Sequence, residues 1–331
     1  MNIYDVSKRA GVSIATVSRV INNNERVSEK TRQKVLDAIE ELDYIPSALA
    51  RGLGINSTKT IGIMCANSSD IYLANAVYHL ESSLRQFGYD CILCCTGYES
   101  DTREKYMKLL LSKKVDAVIL VGSNYVEEQD KKQRYIFDAA KKVPIVLVNG
   151  ALKGENIYCS LADDYQAVYN LTIELIKKGK KDIMFLYDSN SFSGRQKREG
   201  YRDGIEKYGL KCNEIFIPFK ESPIQKTKEL MLKEVKHYPE AMICCEDAIA
   251  VAAIKFASEL GIDVPGELSI IGYNNSFIAN CCQPELTSID NKVQEVCNNA
   301  IKMLMNVLEG KQIEYIKVVP CLIKKRNTTD F

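Results

Sequence analysis

The chain has 331 residues, 46% of them hydrophobic and 26% charged, with 44 Lys plus Arg against 43 Asp plus Glu. That length calls for two or three domains, and the near-neutral balance excludes a chain that is basic throughout while leaving room for a local basic patch. No apolar run approaches the roughly 18–20 residues of a membrane helix, and Met1–Ala10 lacks the apolar core of a secretory signal, so a cytoplasmic protein with no membrane partner is expected.

The first sixty residues carry short helix-period segments. Asn2 is placed to cap a helix with Asp5 in its first turn, a capping-box arrangement, and Gly11 ends that helix after Ala10. Ser13 caps a second helix in which Val17, Val20 and Ile21 recur at core spacing. Ser28 caps a third, with Val35, Ala38, Ile39 and Leu42 on one face, and Pro46 closes the unit. Three short helices with a glycine turn between the first two describe a helix-turn-helix. Lys8, Arg9, Arg19, Arg26, Lys30, Arg32 and Lys34 are set against Asp5, Glu25 and Glu29, a local charge of +4. Such a face suits phosphate contact; it also suits an ordinary solvated surface.

Residues 47–57 read as a linker. Ala48, Leu49, Ala50 and Arg51 favour helix and Gly52 and Gly54 oppose it, as in a segment helical only in a complex. From Thr60 onward, short apolar strands alternate with amphipathic stretches. Strands are expected at 60–66, 91–96, 116–121, 145–149, 183–187, 241–245 and 268–272. That alternation predicts parallel sheets covered on both faces. Some 270 residues exceed one such sheet, so two doubly wound subdomains enclosing a cleft are expected, with ligands outside the carboxyl ends of the strands.

Enzyme chemistry finds little material. His79 and His237 are too far apart for a zinc-protease motif, Gly52-Leu-Gly54 precedes a strand rather than following one, and Leu210 stands where a phosphate loop needs Lys. The twelve cysteines include three adjacent pairs and one CxxC, Cys91 to Cys94, with no second pair at zinc spacing. Buried apolar thiols are expected, with no catalytic residues, metal or cofactor.

The run Ile3 to Asn22 closely resembles the signature of the lactose-repressor/galactose-repressor (LacI) family of bacterial transcription regulators. The resemblance continues through Val27–Arg32, Tyr44-Ile-Pro46 and Ala50–Leu53, and through core segments Thr60–Ile63, Lys114–Ile119, Arg198–Tyr201, Leu260–Pro265, Pro284–Ser288 and Leu322–Arg326. It implies a helix-turn-helix head (1–46), a hinge helix (47–57) and a core (58–331) similar to periplasmic sugar-binding proteins. The implied activity is that of a nucleoid-associated repressor acting on double-stranded DNA at a pseudo-palindromic operator.

The same resemblance implies site residues. The second helix enters the major groove with Ile14 and Ala15 at the specificity positions, where they can offer only methyl contacts. Thr16, Ser18 and Arg19 reach bases or phosphates, and Asn22 and Arg26 phosphates or flanking bases. Leu53 is the wedge at the central step. Tyr72, Asp163, Arg198, Asp247 and Asn274 are implied to hold a small-molecule effector, a sugar first and purines second, although Asp163 could equally serve as a helix cap. The chain departs from many relatives at Asn149-Gly150 and Gly272-Tyr-Asn274, where fixed charges are fewer. Lys302 and Asn306 stand where phosphoprotein-controlled members carry Arg and Lys, which favours a local regulator. No heptad tail follows Phe331, which implies a homodimer. The rival readings are a sugar-binding protein without DNA function and an enzyme built on the cysteine-rich core.

Overall fold

The computed structural model describes residues 1–21, 24, 26–44, 57–127, 130–218 and 223–330. Its first helices are α1 (Ile3–Ala10), α2 (Ile14–Ile21) and α3 (Glu29–Glu41). Asn2 Oδ1 accepts the Tyr4 and Asp5 amides while Asp5 Oδ2 accepts the Asn2 amide, so the capping box is reciprocal. Gly11 closes α1 at φ +63°, a left-handed turn that glycine adopts without a Cβ penalty. Ser28 Oγ accepts the Thr31 amide at the start of α3. Val6, Val17, Val20, Val35, Ala38 and Tyr44 pack into a small core of their own.

The first sheet runs in the order β11-β5-β4-β3-β1-β2, all parallel. Its strands are β1 (Thr60–Cys65), β2 (Asp90–Cys95), β3 (Ala117–Val121), β4 (Ile145–Val148), β5 (Ile157–Ala162) and β11 (Ile316–Val319). Helices α4 (Ile71–Gln86), α5 (Ser100–Ser112), α6 (Asp130–Ala140) and α11 (Val293–Leu308) accompany it. β1, β3 and β4 are buried along their whole length, which is why they read as unbroken apolar runs.

The second sheet runs in the order β12-β10-β9-β8-β6-β7. Its strands are β6 (Ile183–Tyr187), β7 (Asn213–Phe216), β8 (Ala241–Cys244), β9 (Ser269–Tyr273), β10 (Thr287–Asp290) and β12 (Leu322–Lys324), with helices α7 (Asp164–Lys177), α8 (Phe192–Glu206), α9 (Pro223–Glu234) and α10 (Asp247–Leu260). β12 pairs antiparallel with β10 at the sheet edge, so this sheet is mixed rather than wholly parallel. The chain passes between the sheets after β5, after β10 and after β11. No described helix is long and apolar enough to cross a membrane.

The cysteines divide by position. Cys65, Cys94, Cys159, Cys244, Cys245 and Cys297 are buried as expected, whereas Cys95, Cys212 and Cys281 are exposed, so the expectation of buried thiols is corrected at those three. Cys95 is exposed because β2 is an edge strand whose alternate residues face outward. Among the described residues no three His, Cys, Asp or Glu side chains converge as a metal site requires.

Candidate nucleic-acid interface and ligand cleft

Helix α2 divides by period. Val17 and Val20 are buried in the head core, while Ala15 and Arg19, four residues apart, are exposed on the opposite side. Ile14 and Thr16 are half-buried, and Thr16 is held at the helix start by Ser13, its amide reaching Ser13 Oγ at 3.2 Å. Ser18 is only 7% exposed, which turns it toward the head rather than toward an open face. Arg26 is exposed beside Asn24, whose Oδ1 accepts the Arg26 amide at 2.9 Å. Arg9 is tied to Glu41 at 2.6 Å, and Arg32 donates to the Asn24 carbonyl at 2.8 Å. Asn22, Leu53 and the linker at 47–56 lie outside the described residues.

The cleft is assembled from residues that follow strand ends, where loops of a parallel sheet open. Asp70 comes after β1, Asn149 after β4, Asp164 after β5, Asp188 after β6, Glu246 after β8 and Asn274 after β9. Ser123 Oγ donates to Ser191 Oγ at 2.9 Å, joining the loop after β3 to the start of α8 across the two sheets. Asp70 caps α4 by accepting the Leu73 amide at 2.8 Å. Asp164 accepts the hydroxyls of Ser193 and Tyr273 and is 3% exposed. Lys197 Nζ donates to the Cys245 carbonyl at 3.0 Å and lies 3.7 Å from the Tyr273 ring centroid.

Burial pushes the carboxyls of Asp70, Asp164, Asp188 and Glu246 above the usual range, and the Lys197 ammonium pulls each of them back. Asp70 also acts across the cleft on Asp188 and Glu246, raising both further. Burial likewise raises the Tyr72 phenol, which senses Asp164 and Asp70. Tyr72 packs half-buried against the apolar core of the first sheet.

Three of the other expected residues stand one position away from the groups that gather there. Asp163 is the N-cap of α7, accepting the Gln166 amide at 3.2 Å, and its neighbour Asp164 is the buried carboxylate. Arg198 is occupied elsewhere: it stacks on Tyr187 at 4.4 Å and pairs with Glu214 at 2.7 Å, while Lys197 faces the cluster. Asp247 is consumed by Ser276 and Ser288, bracing the loop after β9 against β10, and Glu246 precedes the helix without capping it, its carboxyl raised by burial. Successive helical residues diverge by about 100°, so a shift of one changes the face. The signal that separates Lys197 from Arg198 is the stripe Ser193, Gly194, Lys197, Gly200, Tyr201 and Gly204, all buried on one side of α8.

Asn274 sits at φ 94° after β9, and its Oδ1 accepts Asn291 Nδ2 at 2.8 Å. Asn149 and Asn291, at 7% and 2% exposure, each keep a side-chain oxygen without a hydrogen-bond partner. Lys302 and Asn306 share one face of α11 and help line a surface cavity of about 290 Å³ with Met303, Ile313, Glu314 and Lys317.

Comparison with known proteins bears on both regions. The model of the bacterial regulatory proteins of the lacI family matches residues 2–47, and that of a periplasmic binding protein-like domain matches residues 172–329. An HTH-type transcriptional regulator of Lachnoclostridium phytofermentans is 51% identical over 334 residues, covering 100% of both chains. The HTH-type transcriptional repressor PurR of Proteus mirabilis is 32% identical over 337 residues, covering 99% of this chain and 97% of the relative. A crystal structure of the lac repressor dimer bound to operator and the anti-inducer ONPF superposes with a TM-score of 0.85 at 24% identity, over 99% of each chain. That last likeness speaks to the fold.

Proposed function

The chain belongs to the lacI family of bacterial regulatory proteins, as a DNA-binding transcriptional regulator and not an enzyme, and from that premise we propose a homodimeric repressor of a local operon, in the cytoplasm, whose operator affinity is set by a small polar effector. In this reading Ala15, Ile14 and Arg19 meet the operator in the major groove, Arg26 meets phosphate, and Leu53 of the linker wedges the centre of a pseudo-palindrome. The effector lies between the two sheets, against Tyr72, Lys197, Glu246 and Asn274. A polyhydroxylated, carbohydrate-like molecule fits best, because carboxylates, amides and phenols pair well with hydroxyl groups.

The observation that carries this reading is the hydrogen bond from Ser123 Oγ, in the loop after β3 of the first sheet, to Ser191 Oγ at the start of α8 of the second, at 2.9 Å, which sets the strand-end loops of both sheets about one cleft. A ligand that touches groups on both bodies favours one cleft closure over another. By linkage that preference alters how the two heads of a dimer are presented to DNA. A sugar-binding protein without DNA function has no use for the exposed face of α2.

Operator selection tests the proposal. Full-length protein is mixed with a random duplex library, with and without a panel of sugars and nucleobases. The expected result is an enriched palindrome with half-sites about one helical turn apart, and one class of ligand that changes the enrichment. A palindrome whose enrichment no ligand alters would remove the effector from the proposal, and no enrichment at all would remove the operator.

A further inference from the structure

We infer that Cys65 and Cys95 form an oxidisable dithiol, a modification site at which a peroxide converts the two thiols to a disulfide. The inference is independent of the effector reading. Cys65 is the last residue of β1 and Cys95 the last of β2, and the parallel register sets the two directly opposite each other. Their sulfurs are 3.9 Å apart. Neighbouring strands lie about 4.8 Å apart, inside the Cα separation of roughly 4.4–6.8 Å that a disulfide spans.

The register also decides which thiols of β2 can take part. Cys94 faces the other side of the sheet, opposite Met64, and packs with it in a separate apolar cluster. Cys91 shares the Cys95 face but stands opposite Ile61, about 13 Å back along the strand. Cys95 is therefore the β2 thiol within reach of Cys65. The Thr96 amide donates to the Cys65 carbonyl at 2.8 Å, which holds the two strand ends in register right beside the sulfurs.

The two cysteines differ in what each can do. Cys95 is exposed on the edge strand, whereas Cys65 is fully buried. A peroxide reaches the first and not the second. Burial pushes the Cys65 thiol up to about 12, and the neighbouring Cys95 sulfur adds to the shift, so Cys65 resolves the reaction rather than starting it. In the first step the thiolate form of Cys95 attacks one oxygen of hydrogen peroxide. An S–O bond forms, the O–O bond breaks, and the other oxygen leaves as hydroxide, which takes up the proton released by the thiol and becomes water. Cys95 is then a sulfenic acid, its sulfur oxidised by two electrons. In the second step the Cys65 sulfur attacks the Cys95 sulfur. The S–S bond forms, the S–O bond breaks, and the oxygen departs as water carrying the Cys65 proton. Two thiols and one peroxide thus give one disulfide and two waters. The sulfurs close from 3.9 Å to about 2.05 Å, which draws the end of β2 toward β1 at the cleft end of the sheet. A disulfide with one exposed sulfur is open to reduction, so the modification is reversible.

The test is peptide mapping of the full-length protein. Reduced protein, freed of reductant, is treated with hydrogen peroxide, alkylated in denaturant and digested with trypsin. Cys65 falls in fragment 60–85, and Cys91, Cys94 and Cys95 fall in fragment 86–103. The expected result is a cross-link between these two fragments, placed at Cys95 by tandem mass spectrometry, with both thiols recovered under dithiothreitol. Cys95→Ser, at an exposed position, should lose the cross-link. Cys65→Ala should also lose it, and should give several-fold more dimedone-trapped sulfenic acid at Cys95 than the parent. Absence of the cross-link from the oxidised parent overturns the inference. A cross-link that persists in Cys95→Ser overturns the assignment to Cys95, and dimedone labelling unchanged in Cys65→Ala overturns Cys65 as its partner.

Discussion

The Lys197 ammonium lies 3.7 Å from the centroid of the Tyr273 ring, and the Tyr273 hydroxyl donates to Asp164. The two residues come from different elements, α8 and β9, and both are buried. Together they place one positive charge and one fixed donor beside the same carboxylate. The floor of the cleft is therefore a built electrostatic arrangement rather than an incidental meeting of surface chains.

Lys197→Met tests that arrangement. The change keeps most of the volume and removes the counter-charge of four carboxylates, which should destabilise the ligand-free protein by about 2–4 kcal/mol and abolish any ligand response. Arg198→Ala, one residue on, should cost about 1 kcal/mol, since its bonds to Glu214 and Tyr187 are half-exposed, and should leave the response in place. Urea denaturation with ligand titration on both variants checks this, and a response lost in Arg198→Ala but kept in Lys197→Met reverses the assignment.

The cleft acids also fix the sign of a pH dependence. Burial raises the Glu246 pKa, so the folded state holds its proton where the unfolded state, near the ordinary 4.5, has released it. Stability from this group is present at low pH and falls as pH rises from about 4.5 through the raised pKa. Glu246→Gln should therefore raise Tm at pH 8, by about 3 °C or more, with the gain shrinking toward pH 4.5. Glu240 has the opposite sign. The Lys181 and Asp182 amides hold its carboxyl below the usual range, so its contribution is present above pH 4.5 and lost below it. Glu240→Gln should lower stability by about 1 kcal/mol at neutral pH, the loss closing as acid is added. Thermal melts of both variants across pH settle the two signs.

How much of this was legible in the sequence depended on whether burial was one-sided or complete. The head was readable because Asn2, Asp5, Gly11, Ser13 and Ser28 are local signals that act within a turn. Strands β1, β3, β4, β6 and β8 were readable as buried apolar runs. Strands β5, β7, β10, β11 and β12 were not expected. β7 is an edge strand left largely half-buried, β11 and β12 are edge strands with two exposed residues each, and β10 is the short run Thr-Ser-Ile-Asp, so none of these four looks like a core strand, while β5 is buried but broken by Ser160. The strand-end loops were legible in outline, but which of two adjacent residues packs inward was not: Lys197, not Arg198, lies over the Tyr273 ring. Which of two adjacent polar residues faces inward is decided by the packing of the whole helix, as Gly200 and Tyr201 decide it for Lys197.

On the DNA side, Arg26→Ala should weaken binding to all duplexes about equally and reduce the salt slope by about one, as the loss of a phosphate contact does. Ala15→Gln should instead change the base selected at one position of each half-site, because Gln can pair with adenine where a methyl cannot. Leu53→Ala should lose affinity for the selected operator much more than for random DNA, since wedging contributes only where the centre bends. Fluorescence anisotropy on operator and random duplexes at two salt concentrations separates the three outcomes. Equal loss by Leu53→Ala on both duplexes counts against the wedge.

Gly200 links the packing of the core to its chemistry. A Cβ at this position would stand 2.3 Å from the Tyr165 carbonyl oxygen, closer than any real contact, and one at Gly204 would stand 2.8 Å from Thr172 Cγ2. Both glycines let α8 lie directly against α7. That approach brings Ser193 and Lys197 of α8 to Asp164 of α7. Gly200→Ala must push the helices apart, at a cost of about 2–4 kcal/mol, and loosen the Asp164 cluster with them. Gly209→Ala is the control: its φ is +66° and nothing lies within 4 Å, so it should cost only about 1 kcal/mol of backbone strain. If the cleft depends on helix spacing, Gly200→Ala loses ligand affinity beyond what its stability loss explains, measured well below its Tm, while Gly209→Ala binds as the parent does. Equal affinities in the two variants would show that the carboxylates hold their places without the close contact.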